Sequence, residues 1–159
     1  MRIFGKSLAD YLHFERGFLI LILVVGVAKL AASLFGAPNS IAKFLCLTVL
    51  FLAGLLIYSV VVHTSGFGSY KQLLPIFALQ VIVGDGIVIA GIVLAILTGK
   101  DNVFTAPEFS PGKVDGKNWG HVGGHGVAMI VLPLIMWALG SLIMLVTKTL
   151  TRRREPSAQ

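Results

Sequence analysis

The chain has 159 residues, 56% of them hydrophobic and only 13% charged, with a formal net charge of +6 and a mean hydropathy of +0.89. A soluble domain carries about 25% charged residues, so a water-soluble globule, which would lack the polar groups to cover its surface, is excluded, and so is a disordered chain. The composition is that of an integral membrane protein, and the basic balance reads as anchoring of helix ends rather than as a nucleic-acid surface.

In chain order, Arg2 and Lys6 precede an apolar run from Phe18 to Phe35. This start resembles a signal peptide, but the run is too long for one and no small-x-small cleavage site follows it. Helix one, over about 14–36, therefore reads as a retained signal anchor. Gly36, Pro38 and Asn39 make a tight connection, and Asn39 or Ser40 can cap the next helix. Helix two is expected over about 40–63, around the apolar run Ile41–Val62. It contains the single cysteine, Cys46, which excludes an internal disulfide and a thiol relay and reads as a small buried apolar residue.

The segment TSGFGSY, Thr64–Tyr70, is a polar turn. Its glycines lack the lysine and Ser/Thr that a phosphate loop needs. Helix three is expected over about 71–98, with Pro75 near its start, where proline is tolerated. The one substantial loop, 99–118, holds Pro107, Pro111 and the acids Asp101, Glu108 and Asp115. Helix four is expected over about 119–148, with Pro133 kinking it, and a basic tail occupies 149–159. Each apolar run is near the roughly 20 residues that span a bilayer core, and uniform hydrophobicity with no alternation argues against strands.

The expected fold is an all-α integral membrane protein, one domain over residues 1–159, built as an up-down antiparallel four-helix bundle. One side collects Arg2, Lys6, Arg16, Lys71, Lys148, Arg152, Arg153 and Arg154; the other holds Lys43, Lys100, Lys113 and Lys117. Positive residues stay inside, so both termini are expected in the cytoplasm, the 99–118 loop outside, and the protein in a bacterial inner (plasma) membrane.

Few residues carry chemistry. Asp85 lies near the middle of helix three between Gly84 and Gly86, and a carboxylate at bilayer depth marks a functional site by default. Lys29 of helix one is its expected partner, as a proton or cation relay or as a buried ion pair that fixes packing. A protonated Asp85 bonded to Gln80, a serine or water is the alternative. Asp10, Glu15 and Arg16 read as solvated interfacial charges.

His121 and His125 are one turn apart on one helical face, a geometry suited to a divalent metal, zinc or copper, with Glu108 as the preferred third ligand. No glutamate separates them in the manner of a zinc protease. They could equally hydrogen-bond a quinone headgroup or simply pack under the loop. The ladder Gly120, Gly124, Ala128 beside them permits close approach of a helix or a flat cofactor. His13 and His63 fall at one interface and are the pair on separate helices that could flank a haem; a single histidine ligating a chlorin or haem inside a larger assembly is the further alternative. The leading functional expectation is an accessory or anchoring subunit of a larger membrane complex, or a homo-oligomer, in contact with a redox cofactor or quinone. A small ion-coupled transporter or channel subunit using Asp85 and Lys29 comes second, and a metal site at the outer face third. No catalytic triad, paired-carboxylate motif or nucleotide fingerprint is present.

Overall fold

A computed structural model describes residues 2–42, 44–107 and 115–152, apart from the side chains of residues 39 and 152. The described chain is mostly helical, with four helices long and apolar enough to cross a membrane.

A two-stranded hairpin, β1 (Arg2–Ile3) and β2 (Lys6–Ser7), precedes the first helix. Its turn places Phe4 at φ +50 and Gly5 at φ +88, the positive values that a two-residue hairpin turn demands. Two side-chain bonds hold it: Gln72 Nε2 of a later helix donates to the Phe4 carbonyl at 2.8 Å, and the Tyr11 hydroxyl donates to the Ile3 carbonyl at 2.9 Å.

Helix α1 (Leu8–Leu34) starts earlier than the apolar run suggests. Ser7 and Asp10 explain the start: Asp10 N donates to Ser7 Oγ and Ser7 N donates to Asp10 Oδ2, a reciprocal cap that satisfies two otherwise orphaned backbone donors. The second apolar run is broken into a single turn, α2 (Asn39–Ala42), and a long helix, α3 (Leu47–Thr64). Helix α4 (Tyr70–Thr98) keeps Pro75 inside its first two turns and ends at Gly99, whose φ of +70 is the left-handed conformation that closes a helix. Helix α5 (Trp119–Arg152) runs through Pro133.

Helix α4 is the hub, packed against α1, α3 and α5. Along it, Gln80 lies against Glu15 of α1 and Gly54 of α3, Gly84 against Phe51 and Ile22, Ile87 against Gly26, and Gly91 against Leu30 and Phe104. Glycines thus mark where bulky neighbours cross. The fully buried core runs through Tyr11, Ile22, Leu73, Ile76, Phe77, Val81, Ile92 and Met144. An aromatic group closes the end nearest the hairpin: Phe14 stacks on Phe67 at 3.8 Å between centroids, with Tyr11 and Tyr58 edge-on to this pair. Large apolar side chains such as Ile20, Val24, Leu52, Leu56, Ile130 and Leu142 face outward, the surface that helices present to hydrocarbon.

At the opposite end, the described part of the 99–118 loop folds back onto the bundle. Asn102 is buried and its Nδ2 donates to the Gly91 carbonyl at 2.7 Å, while Val103 N donates to Ser33 Oγ at 2.8 Å. Lys117 pairs with Asp101 at 2.8 Å. That hydrogen bond holds the Lys117 ammonium above the ordinary lysine range.

Candidate functional site

Asp85 sits one residue past the midpoint of α4. It is 6% exposed, so its carboxyl is shielded from whatever surrounds the bundle. The described structure does not pair it with Lys29. The Lys29 ammonium lies 5.5 Å from the centroid of the Phe104 ring: α1 sets Ile22 beside Gly84 and Leu30 beside Gly91, so Lys29 falls at the loop end, beyond Asp85. Asp85 meets His125 of α5 instead, with Oδ1 at 3.3 Å from Nδ1. The distance is long for an ion pair, and the Asp85 Oδ2 atom is buried with no partner among the described residues. A charge this deep needs a donor for each oxygen, so His125 satisfies half of it.

His121 and His125 do share one side of α5, with ring centroids 5.1 Å apart and planes inclined at 43°. His121 is fixed from the loop: its backbone N donates to Asn118 Oδ1 at 2.8 Å, and its Nδ1 lies 3.0 Å from the Gly116 carbonyl. A carbonyl only accepts, so in the neutral ring of His121 the proton is on Nδ1 and Nε2 carries the lone pair. His125 has the same polarity when Asp85 is ionised. Orientation of an imidazole by a carboxylate or carbonyl on one nitrogen leaves the other aimed and basic, as around metals and hydrogen-bonded cofactors.

Among the described residues, no three His, Cys, Asp or Glu side chains gather as a metal's ligand set. Glu108, the expected third ligand, lies outside the described residues. The ladder of Gly120, Gly124 and Ala128 does not mark a helix contact within the chain: a Cβ at Gly124, or at Gly123 or Gly126 beside it, would meet nothing within 4 Å, and one at Gly120 would meet only Asn118 of its own loop. Among the described residues nothing stands over Gly123, Gly124 and Gly126, and the His125 side chain, 27% exposed, borders this glycine side of α5.

His13 and His63 are not brought together. His13 is exposed on α1, and His63 is part-buried with Nε2 3.5 Å from the Thr151 hydroxyl. The stacked Phe14 and Phe67 rings, with Tyr58 of α3 edge-on to Phe14, pack at this end.

A second polar centre escaped the sequence. Glu15, expected at a solvated interface, is fully buried, and Gln80 Nε2 donates to its Oε2 at 3.0 Å. The signal was present in the phase: Tyr11, Glu15, Leu19 and Ile22 fall on one buried stripe of α1, spaced as a core-facing helix face requires, with Arg16 off it.

No protein-family model matches the chain, and no curated protein and no solved structure matches it.

Proposed function

We propose that this chain is a small accessory or anchoring subunit of a larger membrane complex. In this reading it is an up-down four-helix bundle with both termini on the cytoplasmic side of a bacterial inner membrane, and it offers His125 to a quinone headgroup or a related lipid-soluble redox cofactor. The observation that carries the reading is an imidazole anchored by a buried carboxylate, Asp85, and bordering a glycine-lined helix face with nothing against it among the described residues. An imidazole at this depth is costly to leave facing hydrocarbon. A hydroxyl of a quinol donating to Nε2 would satisfy it, and Asp85 would stabilise the imidazolium if the proton followed. Lys29 takes no part.

The test is purification from native membranes in mild detergent, followed by extraction of bound lipid and identification of co-purifying subunits. Bound quinone that is lost in Asp85→Asn and His125→Ala but kept in His13→Ala supports the reading. A chain that purifies alone, with no quinone and no change in His125→Ala, refutes it.

One observation favours a second reading, a zinc or copper site: both Nε2 atoms lack a hydrogen-bond partner among the described residues, and the two rings are adjacent. Neutral imidazole is the ligand and protons compete for it, so affinity should fall as pH is lowered. Elemental analysis of protein purified without chelator, with Glu108→Gln for the third ligand, decides it.

A further inference from the structure

The Glu15–Gln80 centre lies apart from His125, and what it does follows from counting donors. Glu15 is six residues from the midpoint of α1, about 9 Å along the axis at about 1.5 Å per residue, well within a hydrocarbon slab of about 30 Å. It is fully buried, and no lysine, arginine or histidine among the described residues pairs with it. Its neighbour Arg16 is exposed on another face of α1. The Gln80 amide fills the notch left by Gly54, where any Cβ would collide with Oε1 of Gln80. The amide is therefore held against the carboxyl rather than free to swing away.

Three acceptor oxygens meet at this contact, and one described bond, from Gln80 Nε2 to Glu15 Oε2, serves them. Glu15 Oε1 and Gln80 Oε1 are both buried without a partner among the described residues. Reversing the amide does not cure the deficit, because it only turns the other acceptor toward the carboxylate. The missing group is a donor. The ionisable or polar groups that the packed elements bring here are Tyr58 from α3, Gln80 from α4 and, one turn earlier on α1, Tyr11, whose hydroxyl already donates to the Ile3 carbonyl. No described ionisable group of α5 bonds to Glu15. A metal cation such as Ca²⁺ or Mg²⁺ would need about six oxygens or more, whereas the unpartnered oxygens number two.

We propose that Glu15 is a proton-binding site within the bundle: it takes one proton from water onto its carboxylate, as an O–H that donates to the oxygens around it, with Gln80 as the fixed acceptor and donor opposite. The bound ligand is the proton itself, and the site does not depend on what occupies His125.

The experiment is infrared spectroscopy of the full chain in lipid at neutral pH, with carboxyl ¹³C-glutamate to separate Glu from Asp85. The expected result is a protonated-carboxyl carbonyl band that shifts with the glutamate label, disappears in Glu15→Gln and moves in Gln80→Leu. Glu15→Gln keeps the shape of the protonated acid and should fold, which its helical circular dichroism checks. Absence of a labelled protonated band in the wild type overturns the proposal, as does a band that survives in Glu15→Gln. Loss of the band on adding sodium or potassium chloride at fixed pH also overturns it, since a cation would then be the ligand.

Discussion

The two glycines that flank Asp85 look equivalent in sequence, and their replacement by alanine should separate them. At Gly84 an added Cβ would collide with Cζ of Phe51 and stand 2.8 Å from its Cε1, where carbon atoms sit best about 3.5–4.0 Å apart. Phe51 is 9% exposed and wedged between α3 and α4, so the ring cannot swing clear without opening that contact. Such overpacking costs about 1–3 kcal/mol. At Gly86 the nearest atom is the flexible end of Met129 at 4.0 Å, an ordinary contact. Both substitutions gain about 0.8–1.0 kcal/mol of helix propensity, and this common part cancels in the comparison. Gly84→Ala should therefore be about 1–3 kcal/mol less stable than Gly86→Ala. The assay is unfolding in one mixed detergent, titrated with denaturant and followed by circular dichroism. Adding Phe51→Leu should recover most of the loss in Gly84→Ala and little in Gly86→Ala, since only residues in contact couple. Equal stability of the two glycine variants would refute the placement of Phe51 over Gly84.

Asp85→Asn and His125→Ala should be non-additive by about 0.6–1.7 kcal/mol, the range for polar contacts between membrane helices, while Asp85→Asn with Lys29→Met should be additive; the same unfolding assay measures both. Lys117 is raised by its Asp101 partner, so the contribution of this pair is full below the ordinary lysine pKa of about 10.4 and is lost as pH rises through and above it. Fluorescence of Trp119, read in a Trp137→Phe background, should stay constant from neutral pH to about pH 10 and change above it, and Lys117→Met should abolish that step. With Cys46→Ala, a single cysteine at exposed Lys100 should react with an impermeant thiol reagent on intact cells, and one at exposed Ser65 should not; the reverse pattern inverts the proposed orientation.

The helices were legible because lipid-compatible runs must be long, apolar and unbroken, which composition alone displays. Their ends were less so: α1 begins at Leu8 because of a Ser7–Asp10 cap, a local hydrogen-bonding pattern that hydropathy ignores. The site was half legible. Asp85 stood out by cost, and the pairing of His121 with His125 by spacing. The partner of Asp85 did not, because the register of one helix against another cannot be counted within either helix alone. Lys29 lies beside Phe104 at the loop end, farther along the bundle than Asp85, because α1 sets Ile22 beside Gly84 and Leu30 beside Gly91. Glu15 was hidden by the opposite error, a charge near a helix start read as interfacial when its stripe-mates Tyr11, Leu19 and Ile22 already placed it inward.

The burial of Glu15 against Gln80 also has a consequence for biogenesis. The two residues are 65 positions apart in the chain, and synthesis proceeds at about 5–20 residues per second. The first helix therefore exists for roughly 3–13 s before the amide that receives its acid has been made. During that interval Glu15 has no partner in the bundle, and full release of α1 into lipid would leave a carboxyl facing hydrocarbon. That cost, about 2.5–3.5 kcal/mol for a charged group on insertion scales, is relieved only when α4 emerges, so the stable seating of the first span is completed by the third long helix.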